Sequence, residues 1–476
     1  MLTYTPLAAD STNLADSKKL IREKIVPWEG LARAGVISAD QANLVKVLET
    51  QNGDLKRATV LALAKMYAST LLSLLSKLEV DARDDVLKCV LVLINDLIVD
   101  AKAAPFTQQL LELLTVDSNL PYSPFLKHLD NADLLIQSLA LYNVTVLLSQ
   151  AAQEGKSVET ETLIKVFGVL CSKRFIGNAQ DANLQSLGVQ FLQELAIHKP
   201  YRAVFRDHDL VANFASISAL LDTLAKQPNS VNLQLLYNAL LTVWVLSFSA
   251  PLNKVLVHNY PNLAGSLLTI AKEGIKLKVV RVAVSAVRNF VLFSVSAHEH
   301  FSVVKLLLFH DGLNVVRTIQ TRKFALESSD AELAADLAYL NTELSDVVSN
   351  KLTSLDEYLV ELENPNLLSW ASPTHKSEDF WHKNAGKFKD NSFALVKKML
   401  TILALEDLGK GPSRVILLND LQFLIRNLGS DLVNFLNNEK GGQYKLLVMS
   451  LLENSDGDNE LKYEALRTIQ YLVGHA

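Results

Sequence analysis

Apolar residues recur along most of the chain at the three- and four-residue spacing that is typical of amphipathic α-helices. Within this pattern, a small residue is repeatedly followed by apolar residues one and four positions later. The small residues are Cys89, Ala140, Gly188, Ala239 and Ala283. Because the two apolar positions share one face of a helix, each copy predicts a helix that a neighbouring helix approaches closely at the small residue.

The copies lie 51, 48, 51 and 44 residues apart, near the ~40–47 residues of armadillo and HEAT repeats. The pattern returns late in the chain, after Asp420 and again after Ala465. A single repeat cannot bury its apolar face alone, so successive repeats stack into a solenoid. We therefore predict an all-α, armadillo/HEAT-like helical-repeat solenoid of helix pairs or triplets, with a concave face suited to an extended partner.

The repeat weakens between Arg317 and Asn350, and this weakening indicates a domain boundary. Within that stretch, Ser328–Asp330 precedes apolar residues at helical spacing, which predicts a capped helix start. These apolar residues are Leu333, Leu337, Leu340 and Leu344. We predict a large N-terminal armadillo/HEAT-like superhelical domain at residues 1–350, a smaller C-terminal helical-repeat domain at residues 351–476, and a hinge near residues 350–354.

The composition fits a folded, helical chain. Apolar residues make up 49 % and charged residues 20 %, and only 18 Gly and 12 Pro interrupt 476 residues, which favours long helices. The net charge of −5 gives no case for nucleic-acid binding, which needs a strongly basic face. The two cysteines have neither metal-ligand spacing nor a disulfide framework, so we expect no metal and a reducing cytosolic compartment. We also expect no cofactor.

One uncharged stretch, Pro228–Asn253, has to be compared with a membrane span. Its apolar core, Leu235–Leu246, is shorter than the ~20 residues that cross a bilayer. Polar amide residues also interrupt the first half of the stretch. We predict a buried scaffold helix here.

Basic residues decorate the helix predicted around Val279–Val291. Lys278, Arg281 and Arg288 share one face of it, because they are separated by three and seven residues. Two interpretations stay open for this strip. It lines a groove that receives an acidic or helical peptide, or it is an ordinary solvated helix face.

Two short motifs do not have the spacing that their chemistry requires. His298 and His300 are about 200° apart on a helix and cannot chelate one metal together, so we predict surface histidines. The segment Gly409–Ser413 lacks the spacing of a phosphate-binding loop and predicts a flexible connection between helices. With no Ser/His/Asp, Cys/His or paired-carboxylate pattern, we predict no catalytic residues and no enzymatic activity.

The least generic segment is Trp370–Phe388, which reads W-A-S-P-T-H-K-S-E-D-F-W-H-K-N-A-G-K-F. It resembles the W-x-S-P-x-H-x-S-x-x-F-W-x-x-N signature of the regulatory H subunit of vacuolar-type proton-pumping ATPases (V-ATPases), in a fungal-like form. The matching residues are Trp370, Ser372, Pro373, His375, Phe380, Trp381 and Asn384. We predict an extended segment whose aromatic residues are buried anchors and whose intervening polar residues are displayed to solvent.

Further motifs resemble this family in the same order along most of the chain. They are Trp28-x-x-Leu31-x-Arg33 with Ile37-Ser38, Leu192–Ala196 with Tyr201-Arg202, Leu233–Phe248, Gly441-Gly442 and Lys462–Leu466. Two departures concern details of the C-terminal surface. Asn419 stands where many members carry His before the residue that matches Asp420, and Asn454–Glu460 is slightly longer than usual.

The resemblance implies a non-catalytic regulatory component of the catalytic V1 sector. Such a component couples ATP hydrolysis to proton transport in the assembled pump and suppresses hydrolysis in detached V1. The implied partners are the E and G subunits of the peripheral stalk, the N-terminal domain of the a subunit of the membrane sector, and catalytic-sector and rotor subunits in detached V1. The implied location is the cytoplasmic face of vacuolar or other acidic-organelle membranes, reached only through the complex, or the cytosol when V1 is detached.

A protein with both roles needs two docking positions for one domain, and therefore a hinge. The connection Asp407–Arg414 is polar, contains glycine and is expected to be exposed, so it is our candidate for the switching contact. Together with the basic strip, the candidate partner-binding residues are Lys278, Arg281, Arg288, Asp407, Lys410, Ser413 and Arg414.

The alternative is a general armadillo-type peptide-binding adaptor or trafficking scaffold. Armadillo import receptors carry regular Trp and Asn ladders on the helices of their groove. Here Trp244 is the only tryptophan between Trp28 and Trp370, which argues against an import receptor in particular.

Overall fold

A computed structural model describes residues 6–51, 53–78, 83–207, 214–230, 232–348, 355–365, 368–370, 372–405, 412–453 and 457–474. Every regular element in these ranges is helical, so the predicted all-α class is confirmed. The chain divides into two compact units, Met1–His300 (unit 1) and Phe301–Ala476 (unit 2). The hinge predicted near residues 350–354 lies outside the described residues, and the predicted domain boundary stays a prediction.

Unit 1 holds the first seventeen α-helices of the described residues. Their bounds are α1 Thr12–Glu23, α2 Trp28–Arg33, α3 Ala39–Thr50, α4 Gly53–Ala62, α5 Ala64–Lys77, α6 Asp84–Ile98, α7 Ala104–Glu112, α8 Ser123–Leu126, α9 Leu134–Gln153, α10 Thr160–Leu170, α11 Ala182–Ala196, α12 Lys199–Asp207, α13 Ala215–Ala225, α14 Leu233–Leu246, α15 Ala250–Asn259, α16 Pro261–Glu273 and α17 Leu277–Leu292. Short 3-10 helices lie at Ala101–Ala103 and Leu113–Thr115.

Three consecutive helices form the repeating unit in the second half of unit 1. Helices α12, α13 and α14 contact α15, α16 and α17 respectively, so each helix packs on its counterpart in the next repeat. The sequence predicts repeats of two or three helices, and this arrangement shows that these repeats have three. The third helices of these two repeats, α14 and α17, continue a row of helices that begins with α6, α9 and α11. In this row α6 contacts α9, α9 contacts α11, α11 contacts α14 and α14 contacts α17.

Each of the five small residues of the sequence repeat lies on one helix of this row, which we call the small-residue row. At Gly188 the chain comes close enough to explain the choice of residue. A Cβ atom there would lie 2.8 Å from Cγ1 of Ile176 and 3.1 Å from Cβ of Phe175. The close neighbour is the turn after α10, whereas the sequence pattern predicts a neighbouring helix.

Buried amides connect neighbouring helices of the row. The Asn95 side chain (α6) donates to Oδ1 of Asn143 (α9) over 2.8 Å, and the Asn143 amide donates to the Leu91 carbonyl over 3.0 Å. Farther along, the Asn289 amide (α17) donates to Oγ of Ser247 after α14 over 2.9 Å. Because an unpaired buried amide is costly, these bonds favour one register between helices.

One described helix, α9, is long and apolar enough to span a membrane, and 89 % of its most apolar window is buried within the protein. Since α9 contacts α6, α7, α8 and α11, it is a core helix of the stack. The apolar core of the uncharged stretch lies in α14, which has 14 residues and is also packed in the row.

Unit 2 contains the remaining helices. They are α18 Ala297–Phe309, which begins in unit 1, α19 Gly312–Gln320, α20 Ala331–Asp346, α21 Leu355–Glu363, α22 Glu378–Asn384, α23 Asp390–Leu403, α24 Ser413–Leu428, α25 Ser430–Asn438, α26 Gln443–Glu453 and α27 Asn459–Gly474. The 3-10 helices are Lys323–Ala325, Pro373–Lys376, Ala385–Lys389 and Glu439–Gly442.

Helix α24 is central to the C-terminal part of unit 2, where it contacts α22, α23, α25 and α27. Its run Val415–Ile425 is almost entirely buried. Upstream, the predicted capped helix is confirmed: the Asp330 carboxylate accepts the Leu333 N–H over 3.0 Å at the start of α20, and its four predicted leucines are buried.

Candidate functional site

The signature segment is folded into short helices, so the predicted extended conformation is wrong. A 3-10 helix covers Pro373–Lys376, α22 covers Glu378–Asn384, and a second 3-10 helix follows at Ala385–Lys389. The physical reason lies at Ser377, whose hydroxyl accepts the Phe380 N–H over 3.1 Å and caps α22.

Five of the signature residues whose side chains are described are buried: Ser372, His375, Phe380, Trp381 and Asn384. Phe380 and Trp381 are fully buried, while Trp370 is half-buried with the Lys376 ammonium 5.4 Å from its ring centre. The prediction that the intervening polar residues are displayed holds only in part. Lys376, Glu378 and Asp379 are exposed, whereas Ser372 and His375 are buried. Farther along the segment, His382 and Lys383 are exposed and Asn384 is buried.

His375 lies between two buried carboxylates. Its Nδ1 is 2.8 Å from Oδ2 of Asp420 on α24, and its Nε2 is 3.1 Å from Oε2 of Glu361 on α21. The second contact is an ion pair by distance, without hydrogen-bond alignment. The Tyr358 hydroxyl, one turn before Glu361, donates to the same Asp420 oxygen over 2.9 Å. We call these four residues the His375 cluster.

The carboxylates decide the charge of the imidazole. Burial of the ring opposes its protonation, but Asp420 and Glu361 outweigh burial and raise the pKa of His375 to about 9. Burial also raises the pKa of Asp420, against the attraction of His375. At neutral pH a buried imidazolium therefore joins the signature segment to α21 and α24. The cluster can hold these three elements together, and its burial keeps it from solvent.

Asn419, one of the two departures from the family pattern, takes part in the same arrangement. Its Nδ2 donates to the His375 carbonyl over 2.7 Å. Asn419 therefore fixes the backbone of the residue whose side chain pairs with Asp420. Sequence reasoning missed the roles of Glu361 and Tyr358, for which the chain carries no local signal.

Aromatic rings surround the cluster and complete the core of unit 2. The Tyr358 and Trp381 rings meet edge to face with centroids 5.2 Å apart, and Trp381 stacks on Phe423 of α24 at 6.0 Å. Phe388 contacts both Tyr358 and Trp381. The signature thus supplies the packing around α24 rather than a solvent-exposed recognition sequence.

The candidate switching connection is only partly described. Asp407 and Lys410 lie outside the described residues. Ser413 is buried, and its hydroxyl donates to the Pro365 carbonyl over 3.1 Å, so the predicted exposure is wrong for this residue. Arg414 is half-buried and its guanidinium donates to the Leu405 carbonyl. Both residues belong to the first turn of α24, which begins at Ser413.

The basic strip lies on α17, at one end of the small-residue row. Lys278 is exposed, whereas Arg281 and Arg288 are half-buried. On the same face, Oγ of Ser285 accepts the indole N–H of Trp244 from α14 over 3.2 Å. The strip and Trp244 are therefore parts of one surface.

The His298–His300 motif places its residues in different environments. His298 is exposed and His300 half-buried, while Glu299 is buried and accepts the Val295 N–H over 3.0 Å. Among the described residues, no three or more His, Cys, Asp or Glu side chains are grouped so that they could hold a metal ion.

A segment near the N-terminus lies across the small-residue row, which sequence reasoning missed. The Tyr142 hydroxyl (α9) donates to the Leu7 carbonyl over 2.6 Å and accepts the Ala9 N–H over 3.0 Å. The Gln190 side chain (α11) accepts the Asp10 N–H over 2.7 Å and donates to its carbonyl over 3.1 Å. We call residues 6–10 the strap.

Comparison with known proteins assigns both parts of the chain to one family. Two family models, both described as the V-ATPase H subunit, match residues 12–344 and 351–476. A V-type proton ATPase H subunit of Dictyostelium discoideum is 24% identical over 81% of this chain and 79% of its own length. One of Drosophila melanogaster is 25% identical over 96% and 88%. A crystal structure of Kap121p aligns at a TM-score of 0.35, with 12% identity, over 99% of this chain and 50% of that chain. The chain belongs to the family of V-ATPase H subunits.

Proposed function

We propose that this chain is a non-catalytic regulatory subunit of the V1 sector. It couples ATP hydrolysis to proton transport in the assembled V-ATPase and suppresses hydrolysis in detached V1. The observation that carries the proposal is that family models of the H subunit match nearly the whole chain, in both its N-terminal and C-terminal parts. Relatives that carry this name are subunits of the same pump.

The helical-repeat unit 1 provides a long surface for elongated partners, and we assign the E and G subunits of the peripheral stalk to it. We assign the N-terminal domain of the membrane-sector a subunit to the C-terminal domain in the assembled pump. In detached V1 the same domain contacts catalytic-sector and rotor subunits. The protein then acts at the cytoplasmic face of vacuolar or other acidic-organelle membranes and in the cytosol when V1 is released.

The packing of the core of unit 2 supports the proposal that the C-terminal domain docks as one body. The His375 cluster joins the signature segment to α21 and α24, and aromatic packing surrounds it. Such a body can occupy two docking positions without internal rearrangement if the chain bends at the predicted hinge near residues 350–354. We propose that Asp407 and Lys410 contribute to the inhibitory contact.

The test uses organelle membranes from cells that lack the protein, with ATP hydrolysis and proton uptake measured before and after adding the full chain. We expect addition to restore proton uptake in proportion to hydrolysis. A chain that binds these membranes and leaves proton uptake unchanged would contradict the coupling role.

With Asp407→Ala/Lys410→Ala, we expect coupling to persist and the suppression of hydrolysis in detached V1 to weaken. Glu378→Ala/Lys383→Ala, two exposed positions on α22, is the matched control.

A further inference from the structure

A left-handed turn follows the signature segment and leads into α23. Asn391, Ser392 and Phe393 have φ angles of 50°, 56° and 60°, all in the left-handed region. This conformation is unfavourable for residues other than glycine, because Cβ comes too close to the following carbonyl oxygen. Asn adopts it as a single residue, whereas a run of three that includes Ser and Phe is strained. Such strain persists only where surrounding contacts offset it.

Two side chains that flank the strained residues bind α25. The Phe393 ring stacks on the Phe435 ring with centroids 4.5 Å apart and planes at 23°. The Lys389 ammonium forms an ion pair with the Asp431 carboxylate. Asn391, between them, is exposed, as is the residue that follows it. The contacts of Lys389 and Phe393 with α25 therefore offset the strain. We call residues 389–393 the latch.

Another protein chain could make the two contacts of the latch without its strain. Asp431 and Phe435 are four residues apart on α25, so they share one face of this helix. Lys389 and Phe393 are also four residues apart, but they reach α25 only through the left-handed turn. A right-handed helix presents residues four positions apart on one face at no such cost. The ion pair lies at the surface and the stacked rings are only half-buried, so both contacts are accessible from solvent.

We propose that the latch covers a docking site on α25, and that a helix of another protein chain displaces it. This helix carries a basic residue and an aromatic residue four positions apart. The basic residue pairs with Asp431, the one charged residue of α25, and the aromatic ring stacks on Phe435 in place of Phe393. Residues 391–393, once released, can take right-handed conformations and extend α23. This site goes beyond the regulatory function proposed above and does not depend on it.

The probe is a fluorescein-labelled, alanine- and glutamine-rich helical peptide of about 16 residues, with one Lys and, four positions later, one Phe. Its anisotropy is measured with the full chain, and the same peptide with Glu in place of Lys is the control. Lys389→Ala/Phe393→Ala removes the internal competitor and should bind the Lys peptide at least about tenfold more tightly than wild type does. Lys323→Ala/Phe324→Ala, with the same two residue types changed elsewhere in unit 2, should bind as wild type does.

Two further variants test the strain and the site. Ser392→Gly relieves the strain and keeps the latch closed, so it should weaken peptide binding about fivefold. Ala394→Gly, the matched control at an exposed right-handed position of α23, should not weaken it. Asp431→Ala, added to Lys389→Ala/Phe393→Ala, should remove most of the gain in affinity.

The proposal is overturned if Lys389→Ala/Phe393→Ala binds the Lys peptide no more tightly than wild type, or not at all up to about 1 mM. Equal binding of the Glu peptide, or a gain that persists with Asp431→Ala, would also overturn it, because the peptide would then lie elsewhere. Hydrogen exchange in α24 shows whether the double variant is folded. If it is not, the comparison of Ser392→Gly with Ala394→Gly decides, and equal affinities of these two overturn the proposal.

Discussion

At the scale of residues, the buried positive charge of His375 joins three elements of unit 2 through two buried carboxylates. The sequence identified His375 through the family signature but could not identify its partners. Asp420 could have been recognised in the sequence, because a carboxylate within the apolar run of α24 requires a buried counter-charge. Glu361 could not have been recognised in this way, since its pairing with His375 depends on how α21 packs against the signature segment. Sequence alone thus located the segment and predicted the burial of Phe380 and Trp381, but it did not predict the burial of Ser372 and His375.

Removing the imidazolium leaves two buried carboxylates without a counter-charge. We therefore expect His375→Gln to destabilise unit 2 by about 3–5 kcal/mol, the range for breaking a buried ion pair. Hydrogen exchange of backbone amides in α21 and α24 measures the loss. His382→Gln, an exposed position in the same segment, is the control and should exchange as wild type does. Equal protection of α24 in both variants would contradict the proposed role of the cluster.

The raised pKa of His375 makes the stability of unit 2 depend on pH. The pKa rises from 6.5 to about 9 on folding, so the protonated ring stabilises the folded state fully below pH 6.5. This contribution declines as pH rises and is lost above about 9. We expect a free energy of unfolding lower by on the order of 3 kcal/mol above that pH than at pH 6.5. Denaturant unfolding of wild type and His375→Gln tests it, and parallel pH dependences would contradict it.

At the scale of elements, each small residue of the sequence pattern lies on one helix of the continuous row. At Gly188 a close approach explains the choice of residue, but the neighbour is a turn and not the predicted helix. The same reasoning failed for the strap. Its contacts join residues far apart in sequence, and no periodicity within the segment indicates them. The signature segment was expected to be extended, whereas Ser377 acts as a helix cap.

Two glycines in adjacent helices test the packing of the row. At Gly188 an added Cβ meets Ile176 and Phe175, so Gly188→Ala should destabilise unit 1 by about 1–3 kcal/mol. At Gly168 on α10 nothing lies within 4 Å, so Gly168→Ala should be neutral or stabilise by up to about 1 kcal/mol. Thermal unfolding monitored by circular dichroism distinguishes them. Equal melting temperatures for the two variants would contradict the close approach.

Two side chains bind the strap, and each bonds to different residues of it. Tyr142 bonds to Leu7 and Ala9, and Gln190 bonds to Asp10. We expect Tyr142→Phe to increase the exchange rate of the Ala9 amide, because the hydroxyl that accepts it is gone. Gln190→Ala should do the same for the Asp10 amide. Tyr237→Phe, a half-buried tyrosine on α14, serves as the control. Unchanged exchange at residues 9 and 10 would show that the side chains do not hold the strap.

At the scale of the whole molecule, repeat spacing was enough to predict the helical-repeat class, because stacked repeats impose one period on the chain. The family came from the signature and the order of the other motifs. Contacts with other subunits could not be derived in the same way. They depend on surface residues whose partners lie in other chains, and the signature that identifies the family is itself mostly buried.

The most direct test of the regulatory role is the initial rate of ATP hydrolysis by detached V1 that lacks this protein, measured as the full chain is added. Co-sedimentation in the same samples reports how much chain is bound. We predict that the rate falls in proportion to bound chain and reaches a plateau at one chain per V1. An unchanged rate with one chain bound would contradict the proposed function.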